Sequence, residues 1–119
     1  MATTLENIKK NIQNARNLID IAYPTIREGR IILKALNELG KAASSLMPIV
    51  DKKEAMKVKD LIELVERRKK SPMEFSRKNK AVIMHENLET ENITPDMIRA
   101  LISDLEGIVK NLEISEKKD

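Results

Sequence analysis

Apolar residues recur along this chain in alternating steps of three and four. From Leu5 they fall at Ile8, Ile12, Ala15, Ile19 and Ala22, the spacing of one stripe on a helix of 3.6 residues per turn. Thr3 followed by Glu6 forms a capping-box pattern at its start, and Pro24, which breaks the helical hydrogen-bond ladder, is expected to stop it. Thr25 with Glu28 repeats the capping pattern, and Ile32, Leu36, Leu39, Ala43, Leu46 and Val50 repeat the stripe. Gly40 weakens this second helix by about 1 kcal/mol. Lying near Ala42 and Ala43, it implies close approach of a neighbouring helix, and Pro48 should bend or end the segment.

Asp51 and Glu54 cap a third helix with Ala55, Val58, Ile62 and Val65 inward, and its end, ERRKKS, places cations at the negative pole of the helix dipole. Ser71, Pro72 and Glu74 read as a new start: cap, proline at the first position, acid in the first turn. A short helix carrying Phe75, Val82 and Ile83 is expected from there, followed by a polar loop, ENLETEN. Thr94 and Pro95 open the last helix, with Ile93 and Ile98 spaced as a hydrophobic staple and Leu101, Leu105, Ile108 and Leu112 continuing its stripe.

These elements predict an all-α fold. The expected form is an antiparallel four-helix up-and-down bundle over residues 1–113, with one extra short helix before the last long one and a frayed charged tail, 114–119. Pro24, Pro48, Pro72 and Pro95 cut the chain into pieces of bundle length, which excludes one long coiled coil. Composition agrees: 41% of residues are hydrophobic and only 2% aromatic, so the core must be aliphatic.

The absence of cysteine excludes disulfides, thiolate metal sites and cysteine nucleophiles, and fits a reducing compartment. No apolar run approaches the roughly 18 residues of a membrane span, and MATTLENIKK lacks a signal-peptide core, so a cytoplasmic protein without a membrane partner is expected. Abundant Lys, Glu and Ile without Cys or Trp lean toward a thermophile. His85 is the only histidine, which excludes a carboxylate-bridged di-iron bundle with its two Glu-x-x-His pairs. Glu63 and Glu66 supply half of a magnesium-binding acidic pair, but no second half follows, and no glycine-rich loop cradles phosphate. No cofactor or metal is expected.

Charge is distributed more tellingly than its net +3 suggests. Arg67, Arg68, Lys69, Lys70, Arg77, Lys78 and Lys80 lie within residues 67–80 against Glu74 alone, while residues 86–107 carry six acids against Arg99. The cations form a candidate phosphate-contacting patch, since each neutralised phosphate adds affinity through counterion release. They are equally read as a solvated corner paired with the acidic segment beside it. Without interleaved aromatic residues there is no platform for stacking bases.

RKNKAVIMH places Arg77, Asn79 and His85 at the end of the expected short helix, before the last long one. In this respect the chain resembles the HEPN superfamily of small helical bundles, whose motif is an arginine, often followed by asparagine, then four to six residues and a histidine. Seven residues separate Arg77 from His85 here, one more than the pattern allows. The resemblance implies a dimer with two motifs facing each other in a basic cleft, and in active members metal-independent cleavage of RNA. Arg77, Asn79 and His85 would then be the catalytic residues, with histidine moving a proton and a cation holding phosphorane charge.

Two further features bear on partners. Ile31, Ile32 and Leu33 are consecutive, and Leu18, Ile19 and Ile21 nearly so, more apolar surface than one stripe buries. A second apolar face predicts a homodimer. The leading expectation is therefore a self-associating, HEPN-like interaction or RNA-contacting module without strong catalysis. A metal-independent endoribonuclease and an adaptor or antitoxin-like partner of a protein encoded nearby are the alternatives.

Overall fold

In the computed structural model, residues 2–77 and 79–117 are described, with side chains for 4–77 and 79–115. The chain runs α1 (Ala2–Asn17), a π-helical turn (Leu18–Ala22), α2 (Tyr23–Ile26), α3 (Gly29–Leu46), α4 (Lys52–Lys70), β1 (Met73–Arg77), β2 (Lys80–Met84), β3 (Thr90–Ile93) and α5 (Pro95–Lys117). Four long helices are thus joined by a three-stranded antiparallel sheet of order β1-β2-β3. No helix among the described residues is long and apolar enough to cross a membrane.

The expected all-α bundle is corrected by that sheet. Ser71, Pro72 and Glu74 do not start a helix, because Ser71 is the extended C-cap of α4 and its hydroxyl reaches the carbonyls of Met73 and Met84 at 2.7 and 2.6 Å. Met73–Ser76 alternates apolar and polar residues with a period of two, and β2 contains β-branched Val82 and Ile83, both better suited to pleated backbone than to helix. The strands pair in the register Arg77↔Lys80, with Asn79 in the left-handed region at φ 64°. Asparagine tolerates that region better than most residues, and it marks the hairpin. ENLETEN likewise contains a second turn and β3, not a featureless loop.

Pro24 does not end the first helix. The π turn widens the backbone just before the proline, Tyr23 N–H bonding to the Leu18 carbonyl, and the rod continues into α2 until Arg27 caps it at φ 53°. Room for the ring comes from the wider turn. Thr25 accordingly does not cap α3; its hydroxyl reaches back to the Ile21 carbonyl at 3.4 Å. Glu28 occupies the N-cap place without a side-chain cap bond. Thr3 of the expected capping box has its side chain outside the described residues.

Elsewhere the boundaries follow the pattern. Asp51 accepts from Glu54 N–H at 3.0 Å, and Thr94 Oγ1 accepts from Met97 N–H at 3.2 Å. Ile93 and Ile98 are both fully buried, as a staple requires. α3 ends at Leu46 just before Pro48, while α5 runs past residue 113 to Lys117, so the expected tail is helical in its described part.

α3 is the axis of the core, packed by α1, α4, α5 and β2. That central position absorbs the apolar excess of RIILKAL: Ile31, Ile32 and Leu33 are all buried within one chain, needing no second copy. Gly40 meets α4 so closely that an added Cβ would lie 2.9 Å from Val65 Cγ2. The sheet lies against the start of α3 and the end of α4. Its inner face presents Ala81, Ile83 and Ile93 to the core, while Phe75 lies opposite Val82 on the outer face.

Candidate functional site

Strand register decides the fate of the sequence motif. Arg77 pairs with Lys80 at one end of the β1–β2 hairpin, and His85 follows Met84 at the other, about 17 Å away at roughly 3.3 Å per residue. They also occupy opposite faces. Arg77 shares the outer face with Phe75, its guanidinium 5.2 Å from the ring centroid. His85 follows the parity of Ala81 and Ile83 toward the helices, where its Nε2 lies 3.2 Å from Glu91 Oε1. The helical geometry that would have aligned the two is absent, and Asn79 occupies the far turn. Within one chain Arg77, Asn79 and His85 do not form one site.

What assembles around His85 is a bridged acid. Arg67 donates through Nε and a terminal nitrogen to both oxygens of Glu91, each at 3.1 Å, while His85 meets the same carboxylate. The Arg67 hydrogen bond, helped by its charge and by His85, holds Glu91 below the usual carboxylate range despite partial burial. Arg67 is held correspondingly higher, chiefly by the same bond. The loop that follows is tightly set. His85 N–H donates to the Glu89 carbonyl at 2.8 Å and Leu88 N–H to the His85 carbonyl at 2.9 Å. Glu89 N–H donates to Asn87 Oδ1 at 3.0 Å, and Leu88 sits at φ 70°.

The basic cluster is divided by the same packing. Arg67 is occupied by Glu91; Arg68 binds Glu74 and donates to Asn37. Lys69, Lys70, Arg77 and Lys80 have no carboxylate within 4.0 Å among the described residues, and Lys78 lies outside them. Arg77 and Lys80 belong to the sheet's outer face and Lys69 to the opposite side of α4 from Arg67. The cluster is dispersed over several surfaces.

A separate concavity lies elsewhere, a groove of about 1120 Å³ between the α1–π rod and α4 with α3 as its floor. Along α3 the residues left unburied are Arg30 at its start and then Lys34, Asn37, Glu38, Lys41, Ser44 and Ser45, of which those from Lys34 onward line the groove, while their neighbours are buried. That is one helical stripe, spanning about 17 Å at 1.5 Å per residue. Leu18, Ile21 and Ala22 form one apolar wall and Ile62 and Val65 the other. Ile21 is 68% exposed, because the π turn shifts the register that buries Ile19. Lys34, Lys41 and Lys69 line the groove, Lys41 lying 3.5 Å from Glu38 Oε1, whose other oxygen is buried without a partner. A polar stripe at steps of three and four within an otherwise apolar helix was the sequence signal for this groove.

Comparison with protein-family models, with curated proteins and with solved structures finds no match to this chain.

Proposed function

We propose that this chain is a noncatalytic interaction module that holds an aliphatic, acid-flanked polypeptide segment in the α1–α3–α4 groove. The observation that carries this reading is the uncovered stripe of α3 between two apolar walls. Every other face of α3 is packed within the chain, and this one alone is left open to a partner. Aliphatic walls reward burial of aliphatic side chains at about 25 cal/mol per Å². Lysines at the groove favour carboxylates on the occupant's flanks.

RNA fits this surface less well, since no aromatic side chain lines the groove and Arg67 and Arg68 are already bound to carboxylates. The HEPN-like resemblance enters the reading through the dimer it implies, with His85 and Asn79 setting turns. Because the chain has no cysteine, Ser45→Cys gives a single attachment point for an environment-sensitive fluorophore in the groove. A synthetic peptide with leucines flanked by glutamates should produce a saturable signal that Ile21→Asp abolishes, while a short single-stranded RNA should produce none. Response to RNA alone, or to neither probe, overturns the proposal.

A further inference from the structure

We propose that the groove's occupant is the β2–β3 loop of a second copy, with Leu88 seated between the apolar walls and Glu86 and Glu89 facing the groove lysines. This rests on the groove being a polypeptide-binding site and adds which polypeptide it is.

Leu88 is the first observation. At φ 70° it occupies the left-handed region, where a Cβ is penalised and glycine or asparagine is the ordinary choice. It is also 76% exposed, the highest value among the large exposed hydrophobics of the described residues. A strained backbone that presents an apolar side chain to water gains nothing within its own chain. The loop is nonetheless closed by the His85–Glu89 and Leu88–His85 backbone bonds and anchored through His85 to Glu91 and Arg67. A preorganised tip loses little freedom on docking.

Charge is the second. Glu86 and Glu89 flank Leu88 and have no cation within 4.0 Å among the described residues; Lys34 and Lys69 in the groove likewise have no carboxylate that close. Tip and groove are therefore an acid-flanked apolar knob and an apolar-walled slot in which Lys34, Lys41 and Lys69 outnumber Glu38 and Glu66. The loop is not placed to fill its own chain's groove. Val65 and Lys69 face the groove, whereas Arg67, which anchors the loop through Glu91, lies two residues from each and so about 200° around α4. Nor do two concave grooves complement each other directly. A two-fold dimer in which each tip enters the other's groove satisfies both surfaces and closes, so assembly stops at two.

The test is sedimentation velocity on the full chain from micromolar to submillimolar concentration, with dimer formation expected. Leu88→Gly suits φ 70° and should raise the melting temperature of the dilute monomer while weakening the dimer about tenfold or more. Lys41→Glu with Lys69→Glu should also dissociate it, and adding Glu86→Lys with Glu89→Lys should restore it. A monomer throughout, or a dimer indifferent to Leu88→Gly and to the charge reversals, overturns this inference. If the labelled groove still answers to the leucine–glutamate peptide in that case, the groove reading stands and only its occupant is wrong. Loss of the peptide signal sinks both.

Discussion

Val65 on α4 fills the space that a side chain on Gly40 of α3 would need, with Cγ2 at 2.9 Å and Cγ1 at 3.3 Å from an added Cβ. Valine is stiff about χ1, and both methyls already crowd the site, so rotation offers no relief. Gly40→Ala gains helix propensity of about 1 kcal/mol, yet forces α3 and α4 apart, and the overpacking is expected to win by about 1–2 kcal/mol net. In a Val65→Ala background the same substitution should become neutral or stabilising. Urea denaturation of the four proteins in this cycle checks the sign change, and additive effects would show that the contact does not limit helix approach.

Gly29 and Ser76 join the sheet to α3. Gly29 N–H donates to Ser76 Oγ, and an added Cβ at Gly29 would lie 2.7 Å from that oxygen and 3.1 Å from the Lys80 carbonyl and Ser76 Cα. Backbone atoms cannot swing aside, so Gly29→Ala should lift the hairpin from the helix start and destabilise by about 1–3 kcal/mol. Ser76→Ala removes only the cap and should cost about 1 kcal/mol. Amide exchange localises the effect: β1 and β2 should lose protection first, and uniform loss across α1 and α5 would argue against a local joint.

How far such features could be read from the chain depended on what set each boundary. Asp51, Thr94 and the Ile93–Ile98 staple act within a few residues, so the ends of α4 and α5 were legible from spacing. Gly40 also signalled its close neighbour, though not that the neighbour was Val65. Residues 71–92 read as helix and loop because Ser71-Pro72-Glu74 satisfies the local rules of a helix start. Only tertiary contacts, Ser71 to two strand carbonyls and Ile83 to the core, select the strands. Alternation in Met73–Ser76 and Asn79 before Lys80 were the available warning. The groove escaped notice because its lining comes from three helices, and Ile21 is exposed only through the π turn.

Asn79 offers a direct test of turn against chemistry. At φ 64° it suits a left-handed turn position, where glycine is at least as comfortable. Asn79→Gly should leave the melting temperature unchanged or higher, whereas Asn79→Val should lower stability by about 1–2 kcal/mol. If both substitutions are equally harmful, the amide side chain does more than permit the turn.

Glu91 should govern part of the acid limb of stability. Its pKa is lowered in the folded state, first by the Arg67 hydrogen bond, so its contribution is full above the unfolded carboxylate value of about 4.3. As pH falls from there through the lower folded value, that contribution is lost. Glu91→Gln should therefore be less stable than wild type at neutral pH, by about 0.2–1 kcal/mol for so exposed a pair, with the difference shrinking below about pH 4. Melting temperatures from pH 7 to 3 test this. A gap that stays constant to the lowest pH would show that the ionised carboxylate is not its source.

Purified protein is expected to leave single-stranded RNA intact in EDTA. His85 is turned toward Glu91 and Arg67 on the inner face of the sheet, while Arg77 lies over Phe75 on the outer face, about 17 Å along the hairpin. No phosphate can touch both side chains of one copy, so the pairing of proton carrier and cation that cleavage needs is missing. His85→Ala should instead speed amide exchange in residues 85–89, by freeing the loop from its anchor, and Arg77→Ala should leave that exchange unchanged. A time course that shows cleavage by wild type and its loss in both variants would overturn the noncatalytic reading. It would require the motifs of two copies to meet across their interface.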